Sequence, residues 1–169
     1  MLFHQHNAPA QAAACAQRLA AAFRHIAATR MQGVPLLHPR LSVEAIGFQA
    51  LRDDDGCAAT GILLTPWFMN LIWLPLDGQP VAAPGQAREH RLGVESFDFI
   101  GACEDGFGSY EMCSLFSPMF EFADQAGARA TAWEILGQLR QAPVPPPAAG
   151  RRAFLMGRSP RLAVAARLA

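Results

Sequence analysis

The run Thr65–Pro75, TPWFMNLIWLP, constrains this chain more than any other segment. Successive side chains of a strand point to opposite faces, so if Trp67, Met69, Leu71 and Trp73 share one side, Phe68, Ile72 and Leu74 share the other. Both faces are then apolar, as expected for a central buried strand. Proline cannot donate to a ladder, so Pro66 and Pro75 bracket the strand and do not interrupt it. One face must lie under helices; the other needs a second layer, a second subunit or a ligand.

The segments around it supply those layers. Residues 9–31 are Ala-rich, open at Asn7 and Pro9, and carry Cys15, Leu19, Phe23 and Ile26 at helical spacing. Leu41–Leu51 alternates with period two, and Asp53–Gly56 is a turn before a second apolar run, Cys57–Leu64, which predicts a hairpin. Leu76–Gly85 reads as a loop, Arg91–Ile100 as a strand, Glu104–Ser109 as a turn and Tyr110–Phe116 as a last strand. Ser117-Pro118 then opens a second helix that ends near Arg140, with Met119, Phe122, Ala126, Ala130, Trp133 and Leu136 on its inward face. The order predicts an α+β fold: an antiparallel sheet of four to five strands with N-terminal and C-terminal helices packed on it, covered on one side so that the other stays free for a partner or a second copy. Residues 1–142 form the single domain, 143–150 (PVPPPAAG from Pro143) a stiff linker, and 151–169 a basic tail.

Composition narrows the class of function. A chain of 169 residues, 51% hydrophobic and 17% charged, is globular and large enough to bury a core. Its four cysteines form no CxxC pair, which argues against a zinc ribbon, a rubredoxin-type site or a disulfide scaffold, and suits a reducing compartment. MLFHQHNAPA lacks the basic-then-apolar order of a signal peptide, and Gly61–Pro75 is too short and too interrupted to span a bilayer, so a cytoplasmic protein is expected. The net charge of zero conceals a division: residues 1–40 carry four Arg and no acid, residues 41–124 thirteen acids against three Arg, and residues 125–169 seven Arg against one acid. An acidic middle attracts a basic partner, or the chain's own basic end, although a solvated surface explains most charge runs.

No catalytic constellation emerges. His4 and His6 have no companion ligands, the glycines at 101, 106 and 108 do not sit as a phosphate loop, and no basic patch is interleaved with aromatics as nucleic acid would require. No metal, cofactor or catalytic residue is therefore assigned. Cys103 and Cys113 flank a turn, so a hairpin could set them face to face as a redox pair, but two small core hydrophobes are the better account of them. What is dense is apolar and aromatic material: Trp67, Phe68, Met69, Asn70 and Trp73 in one segment, Leu115, Phe116, Met119 and Phe120 in another. Core packing explains part of it. Aromatic and Met-rich surfaces also adapt to apolar peptides, which makes these nine residues the candidate client-binding set.

The stretches GILLTPWFMNLIWLP at 61–75 and CSLFSPMFEFADQ at 113–125 closely resemble the signatures of the HybE family of [NiFe]-hydrogenase assembly chaperones. LSVEAIGF at 41–48 and ARATAW at 128–133 are similar to that family as well, and the resemblance covers about residues 35–140. It implies an α+β fold like that of secretion chaperones and a role in holding the precursor of an exported hydrogenase, first of all the small subunit, until its metal centres are installed. Export of that subunit through the twin-arginine route belongs to the same implication. The large subunit and other maturation proteins are further candidate partners, and a second copy of the chain is another. The alternative is a thiol-dependent redox or metal-handling maturation factor using Cys103 and Cys113; a third reading is a membrane-surface adaptor acting through residues 151–169. That tail also contains Arg151, Arg152, Phe154 and Leu155, the RRxFL core of a twin-arginine signal at the wrong end of a chain. Either the tail is disordered and its Arg pair is chance, or it mimics a client signal against the acidic middle of the domain, where guanidinium pairs suit carboxylates.

Overall fold

A strand that is apolar on both faces has to be roofed on both, and the sheet is built outward from such a strand. The computed structural model describes residues 7–53 and 56–141. In chain order they form α1 (Ala8–Ala28), β1 (Glu44–Asp53), β2 (Gly56–Leu64), β3 (Met69–Pro75), β4 (Ala87–Leu92), β5 (Glu95–Glu104), β6 (Gly108–Phe116) and α2 (Gln125–Leu139). The six strands lie in the order β1-β2-β3-β6-β5-β4, every neighbouring pair antiparallel. β3 and β6 are therefore central. The chain leaves β3, crosses to the far edge for β4, and returns inward through β5 to place β6 beside β3. The expected α+β class and terminal helices hold.

The two helices cover opposite faces of the sheet, where a one-sided cover was expected. Leu19, Ala20, Phe23 and Ile26 of α1 pack with Ala59, Leu63, Ile72 and Leu74. Ala128, Ala132 and Leu136 of α2 pack with Ala58, Ile62, Leu64, Met69, Leu71 and Trp73. The alternating partners of β2 and β3 thus divide between the two helices. This answers the requirement set by β3, since the second apolar face is covered by the chain's own second helix and needs no other subunit.

Three element boundaries differ from the sequence expectation, each for a local reason. β3 begins at Met69 because Thr65 closes a turn: its Oγ1 accepts from the Trp67 and Phe68 amides at 3.2 and 2.9 Å, and the Thr65 amide donates to the Phe68 carbonyl at 2.8 Å. The single strand read over 91–100 is a hairpin, with Leu92 paired to Glu95 around Gly93-Val94. Gly93 takes a φ of 63°, as such two-residue turns require, so the sheet gains a strand. α2 starts eight residues after Ser117, where the Asp124 side chain accepts from the Gly127 amide at 2.9 Å as a true N-cap. The later start changes the buried face. Ala126, Ala130 and Trp133 are exposed and Ala128 and Ala132 are buried in their place, while Leu136 is buried as expected.

The β4–β5 half of the sheet meets the end of α2 at Leu92 and Gly93 and is otherwise closed by residues 76–86. The Gly85 amide donates to the Gly101 carbonyl and the Gly101 amide to the Gln86 carbonyl, both at 2.9 Å. A Cβ on Gly101 would meet the Ala82 carbonyl oxygen at 2.2 Å, so the backbone rests directly on β5. Beneath it lies Glu111 of β6, a carboxylate with no exposure. Its Oε1 accepts from the Ala82 amide at 2.6 Å and faces Arg88 Nη1 at 3.4 Å, while its Oε2 meets His90 Nε2. The His90 ring stacks on Trp73 with centroids 4.0 Å apart. A buried charge needs such partners, and this one has three.

Candidate client-binding surface

The end of the sheet that carries the β2–β3 turn gathers three irregular segments. The His38 amide donates to the Pro66 carbonyl at 2.8 Å, tying residues 34–41 to that turn. Ser117 Oγ donates to the Trp67 carbonyl at 3.4 Å, tying on the loop between β6 and α2. Arg40 Nη1 donates to the Ala123 carbonyl at 3.4 Å and closes the third side. A fork on the outer strand anchors the start of α2 beside them. Arg129 Nε and Nη2 each reach a different oxygen of Glu44 at 2.9 Å, and Gln125 Nε2 donates to the same carboxylate at 2.7 Å. The hydrogen bond from Arg129 holds the Glu44 carboxyl below the ordinary carboxylate range, against an opposing contribution from burial.

Apolar side chains come to the surface where these segments meet. Phe120 and Leu36 are each 53% exposed. The Phe120 ring lies against buried His38, centroids 6.1 Å apart, and Leu36 is two residues away from that histidine. Half-buried Trp67 and Phe68 contact each other and Phe23 of α1, with centroids 5.6 to 6.3 Å apart. Leu115 and Phe116 are half-buried on the α2 side, where Phe116 meets Phe122 edge-to-face at 5.0 Å.

The nine residues singled out from sequence therefore separate. Trp67, Phe68, Leu115, Phe116 and Phe120 keep accessible surface. Met69 and Met119 have none, and Asn70 and Trp73 retain 3% and 6%. These four lie inside the core, so in this fold they support a surface and do not form one. Trp73 sits further from this end, paired in register with Glu111 and Thr60. Asn70 Nδ2 approaches Met112 Sδ at 3.2 Å, and its Oδ1 has no partner among the described residues. Leu36 and His38 were not anticipated as neighbours of Phe120. Only contact over a separation of more than eighty residues joins them, and no local pattern encodes that.

The cysteines are not brought together. Cys103 lies opposite Ser109 at the turn end of the β5–β6 ladder, and Cys113 lies beyond Met112, the partner of Ile100. Burial raises the Cys113 thiol above its usual range, the opposite of what a thiolate nucleophile needs. The juxtaposition expected of a redox pair is thus absent. Arg151, Arg152, Phe154 and Leu155 lie outside the described residues. Among the described residues, no helix is long and apolar enough to cross a membrane.

Comparison with known proteins agrees with this architecture. The family model described as [NiFe]-hydrogenase assembly, chaperone, HybE matches residues 14–157. Protein HoxT of Cupriavidus necator is 50% identical over 157 residues, covering 84% of this chain and 88% of that one. The hydrogenase expression/formation protein HupJ of Bradyrhizobium diazoefficiens is 38% identical over 133 residues, covering 79% and 76%. The solution structure of HybE from Escherichia coli superposes with a TM-score of 0.58 at 27% identity, over 86% of this chain and 90% of that one. With half or more of its length inside the family model, and an α+β sheet-and-helix architecture shared with a solved member, the chain belongs to the HybE family of [NiFe]-hydrogenase assembly chaperones.

Proposed function

We propose that this chain acts in the cytoplasm as a chaperone for the small-subunit precursor of a twin-arginine-exported [NiFe]-hydrogenase, holding it until cofactor insertion and assembly are complete. Family membership supports the hydrogenase as client. The observation that carries the binding reading is the exposed pair Phe120 and Leu36, set around His38 and beside half-buried Trp67. Large apolar side chains held open on fixed backbone are what an unfinished subunit with unburied apolar surface would dock against, because the area they remove from water is available to both partners. Trp67 and Phe68 extend the accessible apolar surface toward α1, and Leu115 and Phe116 extend it toward α2. The chemistry of the site is binding; no residue in it is assigned a catalytic role.

The test is recovery of the client. Tagged protein isolated from cells producing the hydrogenase should bring down the small-subunit precursor with its signal still attached. Phe120→Ala together with Leu36→Asp should reduce that recovery at least about fivefold while leaving the fold intact, since exposed positions contribute little to stability. Undiminished recovery by the double variant would remove this surface from the reading. Recovery of the large subunit alone would reassign the client.

A further inference from the structure

The two ends of α2 present different chemistry. Its start adjoins the aromatic surface. Its end, a helix length of about 22 Å away, borders an open pocket of about 280 Å³ on the same face of the sheet. Leu51, Leu71, Leu92, Leu136 and Leu139 line it, with Arg140 at the rim. Pockets for cofactors and drug-sized ligands begin at roughly 300 Å³ and are mostly enclosed, so an open one of this size suits a side chain rather than a whole small molecule.

Arg140 is the unusual group. Its Nη2 donates to the Gly47 carbonyl and, at 3.5 Å, to the Thr60 carbonyl. Those acceptors carry partial charge only, and no carboxylate among the described residues lies within ion-pair distance of the guanidinium. Partial burial lowers its pKa, as expected of a cation that has lost water and gained no anion. Nε and Nη1 have no hydrogen-bond partner among the described residues, and they are the donors that would receive a carboxylate.

A second observation lies beside it. Trp133, 51% exposed, covers the same glycine from the preceding turns of α2: a Cβ on Gly47 would meet Trp133 Cζ3 at 3.0 Å and Leu136 Cδ1 at 2.6 Å. An exposed indole beside Leu136 and an unneutralised guanidinium at the rim of the leucine-lined hollow form the combination on which protein contacts concentrate their affinity.

We propose that this pocket docks a partner-protein segment in which an apolar side chain enters among the five leucines and a neighbouring carboxylate pairs with Arg140. Charge decides against the chain's own end as occupant. Residues 142–169 follow directly from the rim, but they contain five Arg and no acid and would add positive charge where it is already uncompensated. The site is separate from the aromatic surface and does not rest on the small subunit being the client.

Two capped synthetic pentapeptides decide it, alike except that one carries Leu-Glu and the other Leu-Gln at the centre. Each is titrated to about 5 mM into the isotopically labelled full chain, and amide shifts are followed by NMR. The Leu-Glu peptide should move the Gly93, Leu136 and Arg140 signals saturably, with the Leu-Gln peptide at least about fivefold weaker. R140Q should bring the first peptide down to the level of the second. Equal affinities, no movement at these signals, or movement confined to the Leu36 and Phe120 end overturns the proposal. So does a dependence of the pocket signals on protein concentration without peptide, because a second copy would then be the occupant. The comparison of the two peptides on the unaltered chain decides the matter even if R140Q does not fold.

Discussion

Glu111 shows how one residue can organise a whole layer. A carboxylate removed from water survives only if its partners repay the lost hydration, and Ala82, Arg88 and His90 converge on it from the loop and from β4. Glu111→Ala would leave those groups facing a void, so it should destabilise the fold by about 3–5 kcal/mol in urea titrations. Glu111→Gln, which keeps an acceptor for the Ala82 amide, should cost less. Glu44 works differently because it lies near the surface. Its carboxyl titrates below the usual range in the folded chain, so the contribution is present above the unfolded value and lost as pH falls through the folded one. Arg129→Gln should therefore flatten the loss of stability between about pH 5 and pH 3, read from denaturation midpoints across that interval. A fall of unchanged steepness would show that other carboxylates carry it. Neither partner was legible in the sequence, since Glu44 and Arg129 are far apart in the chain and both residues look like ordinary surface charges.

At the scale of elements, periodicity was reliable where a segment had one pattern and one boundary signal. α1 runs from Ala8 to Ala28 and buries Leu19, Phe23 and Ile26, close to the expected stripe; Pro9 marks its start, and it ends at the Thr29 cap, short of the expected residue 31. α2 was legible as a helix and misread in phase. Its apolar positions are mostly alanines, which recur at 126, 128, 130 and 132 and so fit two faces equally. Only the Asp124 cap and the sheet beneath chose between them. The loop over β5 makes the sharpest test at this scale. Gly101→Ala would drive a methyl into the carbonyls of Ala82 and Ala83, which are backbone and cannot rotate away. The loop should lift, with a stability loss of about 1–3 kcal/mol and faster hydrogen exchange at the Ala82 amide. Unchanged exchange there would mean that the loop is held by something other than its contact with Gly101.

For the whole molecule, the consequence of roofing both faces is that the sheet offers no broad free face over β1–β3, and the two surfaces proposed for partners lie at the two ends of α2. Substitutions should separate accordingly. Trp73→Ala removes a buried ring stacked on His90, so it should cost about 3–5 kcal/mol of stability and impair every activity together. Phe120→Ala should leave the unfolding midpoint within about 0.5 kcal/mol and weaken client recovery alone. If Trp73→Ala left the fold unchanged and selectively abolished client binding, the division between supporting core and contact surface drawn here would be wrong.

Local chemistry was enough to establish the α+β class, the central strand, the β1–β2 hairpin and the crowding of aromatic residues at 67–73 and 115–122, because alternation, turn residues and side-chain volume act over a few neighbours. Family membership was legible for the same reason, in two uninterrupted blocks. Tertiary structure alone decided which helix covers which face and which aromatics remain in contact with water. It also decided that Arg140 meets no acid among the described residues. Those outcomes depend on β3 crossing to β4 before β6 returns beside it, and on contacts between residues tens of positions apart. A strand's pattern says that both its faces must be buried; only the path of the chain says what buries them.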